Sequence, residues 1–222
     1  MSKFHYEDIT TDLLIRAYIC GIFPMAESAD SSDLFWLAPE KRGIIPLHHF
    51  HISKNMHKIM RQNHYRASHN EAFKEVIKEC AKATQNRPTT WINDKIITLY
   101  EALFMQGVAH SIEIWQEEKL IGGLYGVHIG GAFFGESMFT RAQGGSKIAL
   151  AHLVASLKKS DFLLLDTQFI TPHLQKFGAI EITREDYETQ LQKAVNEARS
   201  FQFVAEGGGV LECILQSSNH TS

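Results

Sequence analysis

The sequence predicts an α+β fold, a mixed sheet flanked by helices. Three observations lead there. Apolar residues between Thr10 and Gly107 recur at helical spacing between capping residues. The pattern then changes to period two, with tight connections at 116–119 and 129–131. A further helical stretch is followed by Phe162-Leu163-Leu164-Leu165, a continuous apolar run typical of a strand covered on both faces. A length of 222 residues fits one domain, or a small domain joined to a larger one.

In chain order, the first helix is expected after Thr10 or Thr11, with Leu13, Leu14, Ala17 and Tyr18 on one face and Gly21 as its stop. Phe23 to Pro39 reads as loop, and Gly43 to Leu47 as a short extended piece. Helix resumes at Ser53, with Ile52, Met56, Ile59 and Met60 to one side. Asn70 is a candidate cap for a helix carrying Phe73, Val76, Ile77 and Cys80. Asn93 caps another, with Ile96, Ile97, Tyr100 and Leu103 inward and Gly107 as the C-terminal stop. Strands are predicted at His110–Trp115, Leu120–His128 and Ala132–Phe139, forming an antiparallel meander. A helix over about 146–159 precedes the apolar strand, and a last one follows Thr183 to about Arg199, with Asp186 placed for a capping box. The tail beyond Leu215 is expected to be poorly ordered.

Composition narrows the class. No run approaches the roughly 18 apolar residues of a membrane span, and the start, Met1 to Asp8, carries acids and no apolar h-region, so no secretory leader is expected. Cys20, Cys80 and Cys213 are far apart, which argues against a disulfide framework or a thiolate zinc site and for a reducing compartment. The net charge of −3 gives no support for nucleic acid. Its distribution does: Lys41, Arg42, Lys54, Lys58, Arg61 and Arg66 lie in a stretch with no Asp or Glu, while acids collect after Glu181. Such a block either holds a phosphate backbone or is a solvated basic face. His48, His49 and His51 have no acid or cysteine nearby and read as surface, so no metal is expected.

The informative residues are polar ones where burial is expected. Glu136 alternates with Ala132, Phe134 and Met138 and should share their apolar face, so its carboxylate needs a partner or a task. Asp166 closes the central apolar strand and Gln168 stands two residues on, as at the strand ends that line ligand crevices; a strand-end turn is the plainer alternative. Gly122, Gly123 and Gly135 mark either sheet bends or close approach by a ligand. Arg141 to Ser146 is a weak match to a phosphate-cradling loop at a helix N-terminus. Trp36 and Trp91 lie outside helices, where aromatic faces either stack bases or cover core edges.

Together these segments resemble the bacterial leucyl/phenylalanyl-tRNA–protein transferase family. The matching pieces run collinearly from about residue 13 to 191: Ala17-Tyr18 with Gly21 to Pro24, Trp36 with Pro39, Arg42, His51 to Ser53, Thr90 to Ile92, Gly107 with Ala109 to Trp115, and Gly122 to Val127. Further along are Phe134 to Phe139, Ser146 to Leu150, Leu165-Asp166 with Gln168, and Leu174 with Phe177 to Ala179. Gly135-Glu136-Ser137-Met138-Phe139 is the most specific block.

The resemblance implies a small N-terminal domain, 1–42, and an acetyltransferase-like (GNAT-type) catalytic domain, 43–222. The order of meander, helix and central strand is similar to the acetyltransferase sheet. It implies a cytoplasmic enzyme that moves Leu or Phe, with Met a further candidate, from aminoacyl-tRNA to acceptor proteins with N-terminal Arg or Lys, marking them for N-end-rule degradation. No cofactor, no metal and no membrane contact are expected, and a monomer is. By resemblance, Asp166 and Gln168 form a relay to the acceptor amine, Asp166 polarising Gln168, and Glu136 helps fix the aminoacyl end or the acceptor. Leu124, Phe133, Met138, Leu150, Leu153 and Leu157 match the amino-acid pocket. Trp91 would stack the terminal adenine; Met25 stands where the family often has Trp, so stacking there is lost. Arg42, Lys54, Lys58, Arg61 and Arg66 are the expected tRNA contacts. The alternative is a coenzyme A-dependent N-acyltransferase using the 141–146 loop.

Overall fold

The computed structural model describes residues 3–5, 9–26, 28–29, 31, 33–84 and 89–215. The expected disorder beyond Leu215 lies outside these residues.

Helix α1 (Thr11–Ile19) starts at Thr10, whose Oγ1 accepts from the Leu13 N–H at 3.2 Å. It buries Leu14 and Tyr18, and the chain leaves it through Gly21 at φ +74°. The segment expected to be loop instead pairs. Strands β1 (Lys3–His5), β2 (Phe23–Ala26) and β3 (Asp33–Leu37) form an antiparallel sheet in the order β1-β3-β2. Pro24 fits in β2 because that strand is an edge, where a missing N–H is tolerated.

The main sheet has seven strands in the order β10-β4-β9-β8-β7-β6-β5. They are β4 (Lys41–Ile44), β5 (Arg66–His69), β6 (Ala109–Gln116), β7 (Lys119–Ile129), β8 (Ala132–Thr140), β9 (Leu164–Gln168) and β10 (Ile180–Thr183). The expected meander is β6-β7-β8; β5 and β10 add edges that the sequence reading did not place. Among the described strands only β8 and β9 run parallel, as a connection through α5 (Gly145–Lys159) allows.

Two apolar layers cover the sheet. On one face lie α5, α2 (Lys54–Gln62) and α8 (Gly207–Leu215), with Met56, Met60, Leu153, Leu157 and Leu211 inward. On the other lie α1, α3 (Phe73–Ala81), α4 (Asp94–Met105) and α7 (Arg184–Val195), with Tyr18, Val76, Tyr100 and Leu191 inward. Asn93 and Thr183 cap α4 and α7 as expected, Asp186 completes the capping box with Thr183, and Ser53, where helix was expected to resume, is the cap of α2. Helix α7 ends at Val195 rather than Arg199, and α8 and the short α6 (Pro172–Gln175) are additional. Asn70 is not a cap. It takes φ +61° and its Oδ1 accepts from the Ser111 N–H at 2.9 Å, tying the start of α3 to β6.

One break in the alternation of β8 matters for the site. Tyr125 pairs with Ser137 and Gly126 with Gly135, so Glu136 is a bulged residue with no partner across the ladder. Phe134 and Phe139 therefore face the α4 layer while Phe133 and Met138 face the α5 layer. The expected common face of Phe134 and Met138 does not exist.

The glycines of β7 serve packing. A Cβ on Gly122 would lie 2.4 Å from the Gly145 carbonyl carbon, and one on Gly145 would lie 2.4 Å from the Ile121 oxygen. The N-terminus of α5 thus rests directly on β7. Gly122→Ala should cost about 1–3 kcal/mol through overpacking, seen as a lower urea midpoint. Gly208→Ala, where the space is open, should be neutral or stabilising by about 0.5–1 kcal/mol. Equal midpoints for the two variants would remove the packing role.

Candidate active site

Arg42 and Asp166 lie on the neighbouring strands β4 and β9 of the main sheet. Arg42 is 1% exposed and Asp166 0%. The Arg42 Nε donates to Asp166 Oδ1 at 3.0 Å and Nη2 to Oδ2 at 2.6 Å, a two-pronged charge-assisted contact. Its Nη1 donates to the Gly21 carbonyl at 2.9 Å. The guanidinium lies 4.5 Å from the ring centres of both Phe23 and Tyr187. Burial opposes the Arg42 charge, yet Asp166 outweighs it and its pKa lies above the ordinary value. The Tyr187 hydroxyl also donates to Asp166 Oδ2, at 2.7 Å. Arg42 is therefore not a tRNA contact: every face of its guanidinium is occupied inside the protein.

Asp166 also accepts from the backbone N–H of Gln168, at 2.8 Å. This Asx-type bond fixes Gln168 at φ +57°, a conformation that costs a non-glycine residue about 1 kcal/mol or more. The link between the two residues thus runs through the backbone of Gln168. No hydrogen bond joins the Asp166 carboxylate to the Gln168 side chain, contrary to the expected polarisation. Gln168 Nε2 is buried with no hydrogen-bond partner among the described residues. Such a group invites a ligand.

Gln168 lines a cavity of about 340 Å³ between the small sheet, β7, β8, α5 and the end of β9. Its walls bring together Met25, Trp91, Leu124, Glu136, Met138, Leu150, Leu153 and Gln168 from the expected set. Phe23, Thr167, Phe169, Thr171 and Leu174 join them. Phe133 and Leu157 do not: they are 1% and 0% exposed, packed in the α5 layer behind the wall. Asp166 stands behind Gln168 rather than on the cavity surface.

The Glu136 bulge puts its carboxylate against two tyrosines. Tyr18 donates to Oε1 at 2.7 Å and Tyr100 to Oε2 at 3.0 Å, and the two hydroxyls also contact each other. Ionised, the carboxylate takes both hydroxyl protons and leaves none between the tyrosines. Protonated, the three O–H groups can follow one another around a closed ring. Burial pushes the Glu136 pKa up to about 7, against the two tyrosine hydrogen bonds that lower it. Tyr18 and Tyr100 were legible only as apolar helix positions. Their hydroxyls were the missed signal, since a buried Tyr O–H needs a partner.

The basic block divides. Lys54, Lys58 and Arg61, all exposed, line a shallow concavity on α2 with His57 and Gln62. Arg66 is elsewhere, on the edge strand β5, ion-paired with Glu71 at 2.7 Å and lying 5.0 Å over the Trp115 ring. The 141–146 loop is no phosphate cradle. Arg141 pairs with Glu79, the N–H groups of Arg141 and Ala142 donate to the Ile121 carbonyl, and Gly145 N–H donates to Ala142. Among the described residues no group of three or more His, Cys, Asp or Glu could hold a metal, and no helix is long and apolar enough to cross a membrane.

Removing either partner tests this centre. Asp166→Asn leaves a buried cation unpaired and should cost about 3–5 kcal/mol, whereas Tyr187→Phe removes one bond to a charge, about 1.5–3 kcal/mol. An equal or milder effect of Asp166→Asn in urea unfolding would contradict the arrangement. Glu136 carries its own pH signature. Its folded-state pKa is raised, so its stabilising contribution is present below its ordinary value of 4.5 and lost as pH rises through about 7. Wild type should therefore weaken relative to Glu136→Gln between pH 5 and 8. Parallel stability curves would show that Glu136 is not held in this environment.

Comparison with known proteins is direct. A family model described as leucyl/phenylalanyl-tRNA protein transferase matches residues 44–192, and one for the N-terminal domain of that transferase matches residues 7–40. Among curated relatives, the leucyl/phenylalanyl-tRNA–protein transferase of Paramagnetospirillum magneticum is 50% identical over 193 residues, 87% of this chain and 92% of that one. Those of Rhodopseudomonas palustris and Rhizorhabdus wittichii are 52% and 53% identical, covering 87% and 84% of this chain and 84% and 75% of theirs. A solved structure, that of L-PGS from Bacillus licheniformis, overlays with a TM-score of 0.38 at 12% identity, over 97% of this chain and 72% of that one, too slight a likeness to carry an argument.

Proposed function

This chain belongs to the leucyl/phenylalanyl-tRNA–protein transferase family, and from that premise we propose how its cavity works. The enzyme transfers Leu or Phe from aminoacyl-tRNA to the N-terminus of a protein, a step of N-end-rule degradation. The observation that carries the reading is the cavity itself: an aliphatic interior closed at one side by an amide nitrogen without a partner among the described residues and by a tyrosine-bound carboxylate.

The donor's side chain enters among Leu124, Met138, Leu150 and Leu153, which suit an unbranched-at-Cβ apolar group; Met138 lets the wall adapt to Leu, Phe or Met. The acceptor is a protein whose first residue is Arg or Lys. Its α-amine, with a pKa of about 7.7–8.0, is partly neutral near pH 7. The amine nitrogen attacks the ester carbonyl, an amide forms, the ester C–O bond breaks, and the tRNA terminal hydroxyl leaves with the proton that the amine loses. No covalent enzyme intermediate is required, so orientation supplies much of the rate.

Gln168 is the residue that orients the amine, its side-chain carbonyl accepting an N–H. It cannot itself take the proton. Glu136, with a pKa near the working pH, draws the acceptor and can receive a proton in transit. Asp166 is a positioning residue that acts by fixing the Gln168 backbone. The basic concavity of α2, Lys54, Lys58 and Arg61, holds tRNA phosphates, and Trp91 stacks the terminal adenine. Arg66 is a lesser contact, already paired with Glu71.

We place the division between a small N-terminal domain, 1–42, and a catalytic domain, 43–222, near where β4 enters the main sheet; the N-terminal family model, ending at residue 40, supports it. An acetyltransferase-like descent of the catalytic domain is supported by the β6-β7-β8 meander, the α5 connection and parallel β9. A cytoplasmic monomer is the working form. Aminoacyl-tRNA is made in that compartment, and three cysteines scattered along the chain, with no paired spacing, suit its reducing conditions.

The test is a transfer assay with a peptide beginning in Arg and either labelled Phe-tRNA or labelled acetyl-coenzyme A. Label should pass from Phe-tRNA alone; transfer from acetyl-coenzyme A alone would reverse the assignment. Lys54→Ala and Arg61→Ala should each weaken tRNA binding and reduce its salt slope by about one. Unaltered slopes would move the RNA surface away from α2.

A further inference from the structure

The cavity grades from an aliphatic floor to an aromatic rim. Leu124, Leu150 and Leu153 are 4%, 4% and 1% exposed, whereas Met25 is 36% and Phe169 46% exposed. A phenyl ring half in water leaves much of its burial free energy unrealised. A loose surface ring would need no explanation, but Phe169 is held firmly.

Its backbone follows the fixed Gln168. The Phe169 N–H donates to the Thr167 carbonyl at 2.6 Å. Gly43 lets that backbone press close: a Cβ there would lie 2.7 Å from the Phe169 carbonyl carbon. The ring meets Phe23 edge to face, centroids 5.7 Å apart at 79°. Phe23 is in turn backed by the Arg42 guanidinium. Phe169 thus ends a rigid stack of Tyr187, Arg42 and Phe23, with its own ring at the cavity rim next to the Gln168 amide.

We propose that Phe169, with Trp91, forms the aromatic seat for the nucleobase at the 3′ end of the donor. This rests on the transferase reading above. In an aminoacyl ester of adenosine the side chain, ester, ribose and base follow in that order. A side chain among the buried leucines and an ester beside Gln168 place the base at the rim, where the flat rings are Trp91 and Phe169. Base stacking on an aromatic face is strong and tolerant of geometry. The acceptor's cationic side chain is the competing occupant. It fits less well, because the ring that Phe169 abuts already faces a guanidinium, and Glu136 is the cavity's own carboxylate.

The experiment uses the full chain, Phe-tRNA, an Arg-starting peptide, and a phenylalanyl-adenosine analogue as competitor. Wild-type transfer is measured first, and its absence would sink the transferase reading rather than this one. Given wild-type turnover, Phe169→Ala should raise the donor KM and the competitor's Ki on the order of tenfold, with the acceptor KM unchanged. Phe169→Trp should retain or tighten both. Circular dichroism melting of the two variants at the wild-type temperature separates binding from folding. An unchanged Ki in Phe169→Ala would overturn the proposal. So would a rise confined to the acceptor KM, which would give the ring to the acceptor instead.

Discussion

The Arg42–Asp166 pair is the constraint on which the remainder of the site depends. Two opposite charges are buried on neighbouring strands of the sheet, one on β4 and one on β9. Such a pair returns little net stability over apolar residues of the same volume, because desolvation offsets most of the attraction. Its value is in what it forbids. Arg42 must have Asp166, the Gly21 carbonyl and two ring faces at once, so α1, β2, β9 and α7 can meet in one way. The small N-terminal sheet is thereby fixed against the large one, and the cavity lies at their junction.

From that pair the geometry passes outward along the backbone. Asp166 holds the Gln168 N–H, Gln168 takes a left-handed turn, and the turn ends β9 while aiming an amide and then Phe169 toward the cavity. A strained residue persists only where its surroundings over-determine it, and here a buried carboxylate with four donors does so. The bulge in β8 works in the same way on the opposite wall, turning Glu136 out of the ladder and toward Tyr18 and Tyr100.

The two carboxylates show how environment divides roles between like groups. Asp166 is matched to a full cation and to backbone and phenol donors. Glu136 has only two neutral hydroxyls, which do not outweigh its burial, so its pKa rises to the region where protons move at neutral pH. Asp166 is fully buried behind the cavity, whereas Glu136 reaches its wall.

Local signals were enough for much of the fold. Caps at Thr10, Ser53, Asn93 and Thr183, the period-two run from 110 to 139 and the apolar strand at 164 are short-range properties of the chain. Glu136, Asp166 and Gln168 stood out by sequence alone because polar groups broke an apolar pattern. Pairing did not show itself. Strands β2 and β3 read as loop; Pro24 is acceptable in β2 only at an edge, and whether a strand is an edge is settled by what lies beside it. Likewise Arg42 looked like a surface charge in a basic block, since its partner is 124 residues away. Sequence determined which residues are anomalous. Only the tertiary structure decided which anomaly answers which, because charge pairing, register and the depth of a cavity wall depend on neighbours distant along the chain.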